Sequence, residues 1–265
     1  MSQEDDTYST MFTATRARMA QQVVLETIDL TKKFGDFMAV DHINFEVSRG
    51  EVFGLLGHNG AGKTTTVNML AGLMLPTEGT AKVSGYDIRK SPLDARRRIG
   101  LLPDNPGNYL HLTARQNLEF FAVLSDLKRD VAKERVAGLI ELVGLTEWQD
   151  KKVEHYSRGM KQRLGLAQSL IRDPDLLFFD EPTLGIDPEG TRQMRGLIRR
   201  LAGDGKSILI CSHLLNEVSR VCERVAIMRR GKIIAMGTLP ELRTKLGLGD
   251  QIELEDIFIQ VHEAT

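Results

Sequence analysis

Val52-Phe53-Gly54-Leu55-Leu56-Gly57-His58-Asn59-Gly60-Ala61-Gly62-Lys63-Thr64-Thr65 is the stretch on which the fold turns. Its first five residues form an apolar run of strand length, and residues 63–73 follow with the spacing of a helix. The GxxxxGK[ST] loop between them places glycines where backbone N–H groups must turn inward around phosphate oxygens without an obstructing Cβ. The helix start adds the positive end of its dipole. Gly57, His58, Asn59, Gly60, Ala61 and Gly62 are therefore expected to cradle the phosphates of a nucleotide. Lys63 is expected to reach the β and γ phosphates, the Thr64 hydroxyl to ligate Mg²⁺, and Thr65 to donate to the α phosphate.

A second apolar run, Leu176-Leu177-Phe178-Phe179, leads straight into Asp180 and Glu181. Asp180 then emerges at the C-terminal edge of a sheet, where open α/β sheets bind ligands. A hard dication bound with phosphate needs only one or two carboxylates, which suits Asp180 beside Thr64. Glu181, one residue on, is the candidate for polarising an attacking water. Taken alone, an acidic strand end before Pro182 is a turn; coupled to the upstream phosphate loop it predicts nucleotide hydrolysis.

Around these two sites the pattern is that of an α/β chain. Residues 23–30, 45–47 and 81–86 read as strands or strand-turn units near the N-terminus. Residues 112–170 are almost wholly helical, with Thr113 as a cap and Leu118, Phe121, Leu124, Val136, Leu139 and Leu142 at helical spacing. After that insert, strand 176–179, helix 189–201, strand 207–211, helix 214–222 and strands 225–228 and 232–236 alternate as in a parallel sheet. Residues 241–265 read as a short C-terminal tail, with Leu254, Ile257, Phe258 and Val261 forming a docking stripe. Residues 1–22 are polar, lack the apolar segment of a secretory signal, and are read as a loose tail.

Composition narrows the classes. The 265 residues carry 35 Lys plus Arg against 36 Asp plus Glu, which gives no global basic field to draw nucleic acid. No apolar stretch approaches the roughly 20 residues needed to cross a bilayer. Cys211 and Cys222 fit neither CxxC nor zinc spacing and read as small buried apolar residues of a reducing compartment. No NKxD guanine motif is present, nor the long coiled coil or second nucleotide domain expected of a DNA-repair or translation ATPase.

The class is decided by Tyr156-Ser157-Arg158-Gly159-Met160-Lys161-Gln162-Arg163, which resembles the LSGGQ signature of the ABC ATPases. With Asp180-Glu181-Pro182-Thr183, Leu184-Gly185-Ile186-Asp187 and Ser212-His213, the order is similar to a whole ABC nucleotide-binding domain over residues 23–240. The resemblance implies a P-loop NTPase core with a mainly parallel sheet, an N-terminal antiparallel β subdomain and an inserted α-helical lobe at about residues 105–168. It implies that ATP with Mg²⁺ is bound and hydrolysed. Ser157, Gly159 and Met160 would meet the γ phosphate held by a second copy, in a head-to-tail homodimer. Asp187 would join the two active sites, His213 would contact the γ phosphate, and Phe34 would stack on adenine.

Two departures stand out. The family's loop glutamine aligns with Asp104 in Leu102-Pro103-Asp104, where a carboxylate still suits Mg²⁺ or its water but cannot donate. Arg158 replaces the first signature glycine and Tyr156 the leucine, a form that resembles the drug, lipid or polysaccharide export branch. The implied partner is an integral membrane permease, with the chain cytoplasmic and peripheral on the inner face of the membrane. A soluble ABC-type ATPase uncoupled from transport is the alternative.

Overall fold

The period-two pattern of residues 23–34 makes a long strand, β1 (Val23–Phe34), which a two-residue turn at Gly35 and Asp36 folds back on β2 (Phe37–Ile43). In this computed structural model, which describes residues 22–249 and 251–263, β1 also pairs antiparallel with β3 (Glu46–Ser48) and β5 (Glu78–Val83), and β5 with β6 (Tyr86–Asp87). This is the N-terminal antiparallel sheet. The tail expected at residues 1–22 lies outside the described residues except for Gln22.

The second sheet is built from the apolar runs. In the order β11-β10-β4-β9-β8-β7, strands β4 (Val52–Leu56), β7 (Ile99–Leu102), β8 (Leu176–Asp180), β9 (Ser207–Ser212) and β10 (Arg224–Arg229) are all parallel to one another. Only β11 (Lys232–Gly237) runs antiparallel, at one edge. Strands β4, β8 and β9 are buried at every residue, the state that continuous apolar runs predict for a sheet covered on both faces.

Alternation along β8 divides the core. Leu176 and Phe178 join a cluster shared with the antiparallel sheet, where Phe45 stacks on Phe53 with ring centroids 5.4 Å apart. Leu177 and Phe179 point the other way, into a cluster with the helical insert. That insert comprises α3 (Ala114–Leu124), α4 (Arg129–Leu142) and α5 (Arg158–Ser169), following α1 (Lys63–Leu70) and the short α2 (Pro92–Arg97). Thr113 caps α3 in a full capping box with Gln116.

Two helical readings shorten. Residues 63–73 give α1 only to Leu70, and residues 214–222 give α7 (Leu215–Val218), after α6 (Pro188–Gly203). The C-terminal segment is no loose end. The boundary drawn at residue 240 falls inside α8 (Leu239–Leu246), and α9 (Leu254–Glu263) buries Leu254, Ile257, Phe258 and Val261 against Leu56, Val225 and Ile227 of the main sheet. The stripe docks on its own chain. Cys211 is buried and Cys222 half-buried, and burial pushes both thiols up, away from the reactive thiolate.

Candidate active site

β4 ends at Leu56, and the chain turns through residues 57–62 into α1. Two glycines in this loop are obligatory. Gly62 has φ 108° and a Cβ there would lie 2.5 Å from Ala39 O; a Cβ on Gly57 would lie 2.6 Å from Met228 O. Lys63 is buried, and its Nζ donates to Gly57 O at 2.7 Å and to His58 O at 3.3 Å. The ammonium is thus held against the inside of the loop. Gly231 N donates to Ala61 O at 2.9 Å, which ties the loop to the β10–β11 turn.

The three adjacent parallel strands β4, β9 and β8 bring the other reactive groups to the same edge. Thr64 Oγ1 donates to Asp180 Oδ2 at 3.0 Å across 116 residues of sequence. Asp180 is 9% exposed, and its carboxyl is raised above the ordinary range by burial, opposed by the Thr64 hydrogen bond and reinforced by the charges of Glu181 and Asp104. A hydroxyl beside a carboxylate whose charge is costly is the hard-oxygen donor set that Mg²⁺ takes, and a cation there would relieve that cost.

Glu181 sits at φ 49°, a left-handed conformation that a glutamate adopts only where surroundings impose it. Its N–H donates to Cys211 O at 2.8 Å, fixing the turn off the strand. Ser212 Oγ donates to Oε2 at 2.8 Å and the His213 N–H donates to Oε1 at 3.1 Å. His213 Nδ1 lies 2.7 Å from the same Oε1. A carboxylate oxygen accepts, so a hydrogen bond in this contact is donated by Nδ1, and no contact of Nε2 is among those described. Glu181 and His213 therefore form one oriented pair. The role of Ser212 in holding it was hidden in the sequence, where only its place beside His213 hinted at it.

The signature residues form a second group. Ser157 caps α5, its Oγ accepting from Met160 N at 3.2 Å, and Asp187 caps α6, accepting from Gly190 N at 2.6 Å. Gly159 faces Ile186, whose Cγ2 would stand 3.1 Å from an added Cβ. Ser157, Gly159 and Asp187 thus lie together, with no contact to the phosphate loop of their own chain among those described. Asp104 lies between the groups: its charge reaches Asp180, and its Oδ1 meets Arg158 Nη2 at 3.4 Å. Phe34 stands 46% exposed at the end of β1, with Lys32 Nζ 5.1 Å from its ring centroid. Asn59, Gly60 and Thr64 are exposed along the loop, and Thr65 is half-buried.

One contact escaped sequence reasoning altogether. The ring of His58, on the phosphate loop, packs edge-on against Phe258 at 5.1 Å and His262 at 5.0 Å, both on α9. Arg229 Nη1 donates to His262 O at 2.6 Å and fixes the helix end. Beside it opens a cleft of about 900 Å³, lined among others by His58, Ile186, His213, Arg195 and Phe258.

Comparison with known proteins agrees with this geometry. The profile of the ABC transporter family matches residues 40–184. The probable multidrug ABC transporter ATP-binding protein YbhF of Escherichia coli is 40% identical over 242 residues, which is 91% of this chain but 42% of that protein. The chain thus spans under half the length of that relative. The bacitracin transport ATP-binding protein BcrA of Bacillus licheniformis is 42% identical over 212 residues, 80% of this chain and 68% of that one. Among solved structures, an ATP-binding subunit of an ABC transporter superposes with a TM-score of 0.82 at 30% identity, covering 90% of this chain and 99% of its own. The cbiO1 protein of Clostridium perfringens, part of the cbiONQ transporter complex, does so with a TM-score of 0.77 at 30% identity, over 85% and 92%. The chain belongs to the ABC transporter family, among its ATP-binding subunits.

Proposed function

We propose that the chain binds ATP with Mg²⁺ and hydrolyses it, that two copies close head to tail around the nucleotides, and that closure drives export through a separate membrane-spanning partner. The observation that carries the hydrolytic reading is one sheet edge that gathers Lys63, held on the loop carbonyl of Gly57, the hydrogen-bonded pair Thr64 and Asp180, and the hydrogen-bonded pair Glu181 and His213. Lys63 and the loop N–H groups hold the β and γ phosphates. Thr64, Asp180 and Asp104 hold Mg²⁺, which supplies charge compensation for the transferred phosphoryl group. Glu181 orients and polarises the attacking water, and His213, positioned by Glu181, contacts the γ phosphate through Nε2, which donates to it when that nitrogen also carries a proton. Phe34 stacks on adenine.

The separation of the two groups supports the paired reading. Ser157, Gly159 and Met160 at the α5 N-terminus make an anion site with no phosphate loop of the same chain against it, and a second copy supplies one. Asp187 on the adjoining loop links the two sites. Permease docking is supported by the lobe, where Tyr109, Leu110, Phe120, Val123, Leu124 and Val131 are exposed apolar residues, with Tyr109 and Phe120 rings 4.9 Å apart. Among the described residues no helix is long and apolar enough to cross a membrane. The names of the drug- and bacitracin-related relatives favour export, and the proposed place is the inner face of the membrane.

Glu181→Gln tests the hydrolytic half. It keeps the shape and one acceptor oxygen for His213 but turns the other oxygen into an amide donor and removes the base, so turnover should fall by about 10² to 10⁴ while ATP affinity is retained. Unchanged turnover would remove Glu181 from the mechanism.

A further inference from the structure

The phosphate loop is anchored near both ends by backbone. Gly57 packs so closely on Met228 O that an added Cβ would lie 2.6 Å from it, and Gly231 N donates to Ala61 O at 2.9 Å. Residues 58–60 between these anchors are exposed, and among the described contacts the His58 ring is the side chain there that touches another element.

That ring meets a surface already fixed. Phe258 and His262, four residues apart on one face of α9, have ring centroids 4.1 Å apart, and Phe258 is buried in the cluster that docks α9 on the main sheet. His262 Nδ1 lies 2.8 Å from Phe258 O; a carbonyl oxygen accepts, so this bond is donated by Nδ1. Arg229 Nη1 holds the His262 carbonyl from β10. His262 Nε2, in contrast, is buried with no hydrogen-bond partner among the described residues. A polar atom so placed costs the helix stability, so the packing of α9 on the sheet does not explain a histidine there.

The residue that α9 grips by its ring also holds the lysine of the loop by its backbone. His58 O accepts from Ala61 N at 3.1 Å and from Lys63 Nζ at 3.3 Å, beside the 2.7 Å bond from Lys63 to Gly57 O. A shift of His58 therefore moves both the carbonyl that closes the loop on itself and an acceptor of the ammonium.

We propose that His58 is a positioning residue through which the C-terminal helix α9 becomes part of the nucleotide site: the Phe258 and His262 rings hold the His58 ring, and with it the exposed middle of the loop, in the shape that receives phosphate. Without that brace the loop spreads over other shapes, and part of the binding energy is spent on ordering it. Affinity then falls although no group that touches phosphate has been removed. The inference rests on the nucleotide reading above.

Equilibrium dialysis of ADP with Mg²⁺ against the full chain gives two quantities, the Kd and the nucleotide bound per chain. ADP keeps phosphates for the loop to grip and, lacking the γ phosphate, leaves hydrolysis out of the measurement. His262→Ala should raise the Kd by about two- to tenfold, the scale of one aromatic contact, with the amount bound per chain at saturation unchanged. His262→Phe, which keeps a ring and loses the unpartnered nitrogen, should restore the wild-type Kd. His58→Ala, at an exposed position that does not endanger the fold, should raise the Kd as His262→Ala does, and the two together should raise it no further. An unchanged Kd in His58→Ala or His262→Ala, a rise that His262→Phe fails to reverse, or effects that multiply in the double variant would overturn the proposal. So would fewer sites per chain at an unchanged Kd, the mark of a helix that only supports the fold. A wild-type chain that binds neither ADP nor ATP would instead overturn the nucleotide reading on which the inference stands.

Discussion

Asp180→Asn should make the protein more stable and useless to Mg²⁺. The carboxylate is 9% exposed at the end of β8, and burial raises its carboxyl first of all, with the charges of Glu181 and Asp104 pushing the same way. Thr64 and Lys63 oppose the shift without cancelling it. The folded state thus disfavours the ionised form relative to the unfolded chain, and neutral asparagine, which still accepts from Thr64 Oγ1, removes that cost. A gain of about 0.5–2 kcal/mol is the scale of relieving one destabilising functional residue. Each kcal/mol shifts Tm by about 2–4 °C for a chain near this size.

The sign with pH follows from linkage. A carboxyl raised on folding contributes stability in full below its unfolded value and loses it as pH rises through the folded value, so wild-type Asp180 costs most at neutral pH. The advantage of Asp180→Asn should therefore be largest near pH 7 and fade towards pH 4, where the wild-type group protonates in both states. Urea unfolding of both proteins at several pH values measures it, and the difference cancels the other titrating groups. Mg²⁺ with ATP should then stabilise the wild type and leave Asp180→Asn little changed. An asparagine variant less stable at pH 7, or an advantage equal at pH 4 and pH 7, would refute the reasoning.

Two further outcomes follow from the packing. Phe258→Ala, which empties a buried site between α9 and the main sheet and strips His58 of a ring contact, should cost about 3 kcal/mol in urea unfolding and weaken ATP affinity in whatever remains folded. Val123→Asp, on a residue 74% exposed in the lobe, should leave stability and basal ATP turnover unchanged while abolishing copurification with membranes; retained membrane association would remove the lobe face from the docking surface.

What could be read from residues alone was whatever is local in sequence. The phosphate loop declares itself because strand, glycines and helix are contiguous, and Asp180 because its strand is apolar at every residue. β2 does not declare itself, because Asp41 and His42 interrupt its apolar run and His42 adopts φ 48° at the irregular end of its pairing with β1. α7 is shorter than its apolar pattern, because Val218, Val221 and Cys222 keep a helical spacing after the helix has given way to turns. The contacts that define the site's surroundings are distant ones. Arg158 and Asp104 are 54 residues apart, Glu181 and Ser212 are 31 apart, and the His58 stack is closed by the last helix of the chain. Each involves residues with ordinary separate explanations as cap, loop or tail, so only their juxtaposition reveals what they do.

The central claim is a composite site, with phosphate held by one copy and completed by the α5 N-terminus of another. The most direct measurement is the mass in solution of Glu181→Gln protein by analytical ultracentrifugation, with and without ATP and Mg²⁺. Adding ATP should shift the mass from that of the 29.6 kDa chain to twice that value, and Ser157→Arg should abolish the shift although ATP still binds. A Glu181→Gln chain that binds ATP yet stays at single mass, or pairs equally well with Ser157→Arg, would contradict it.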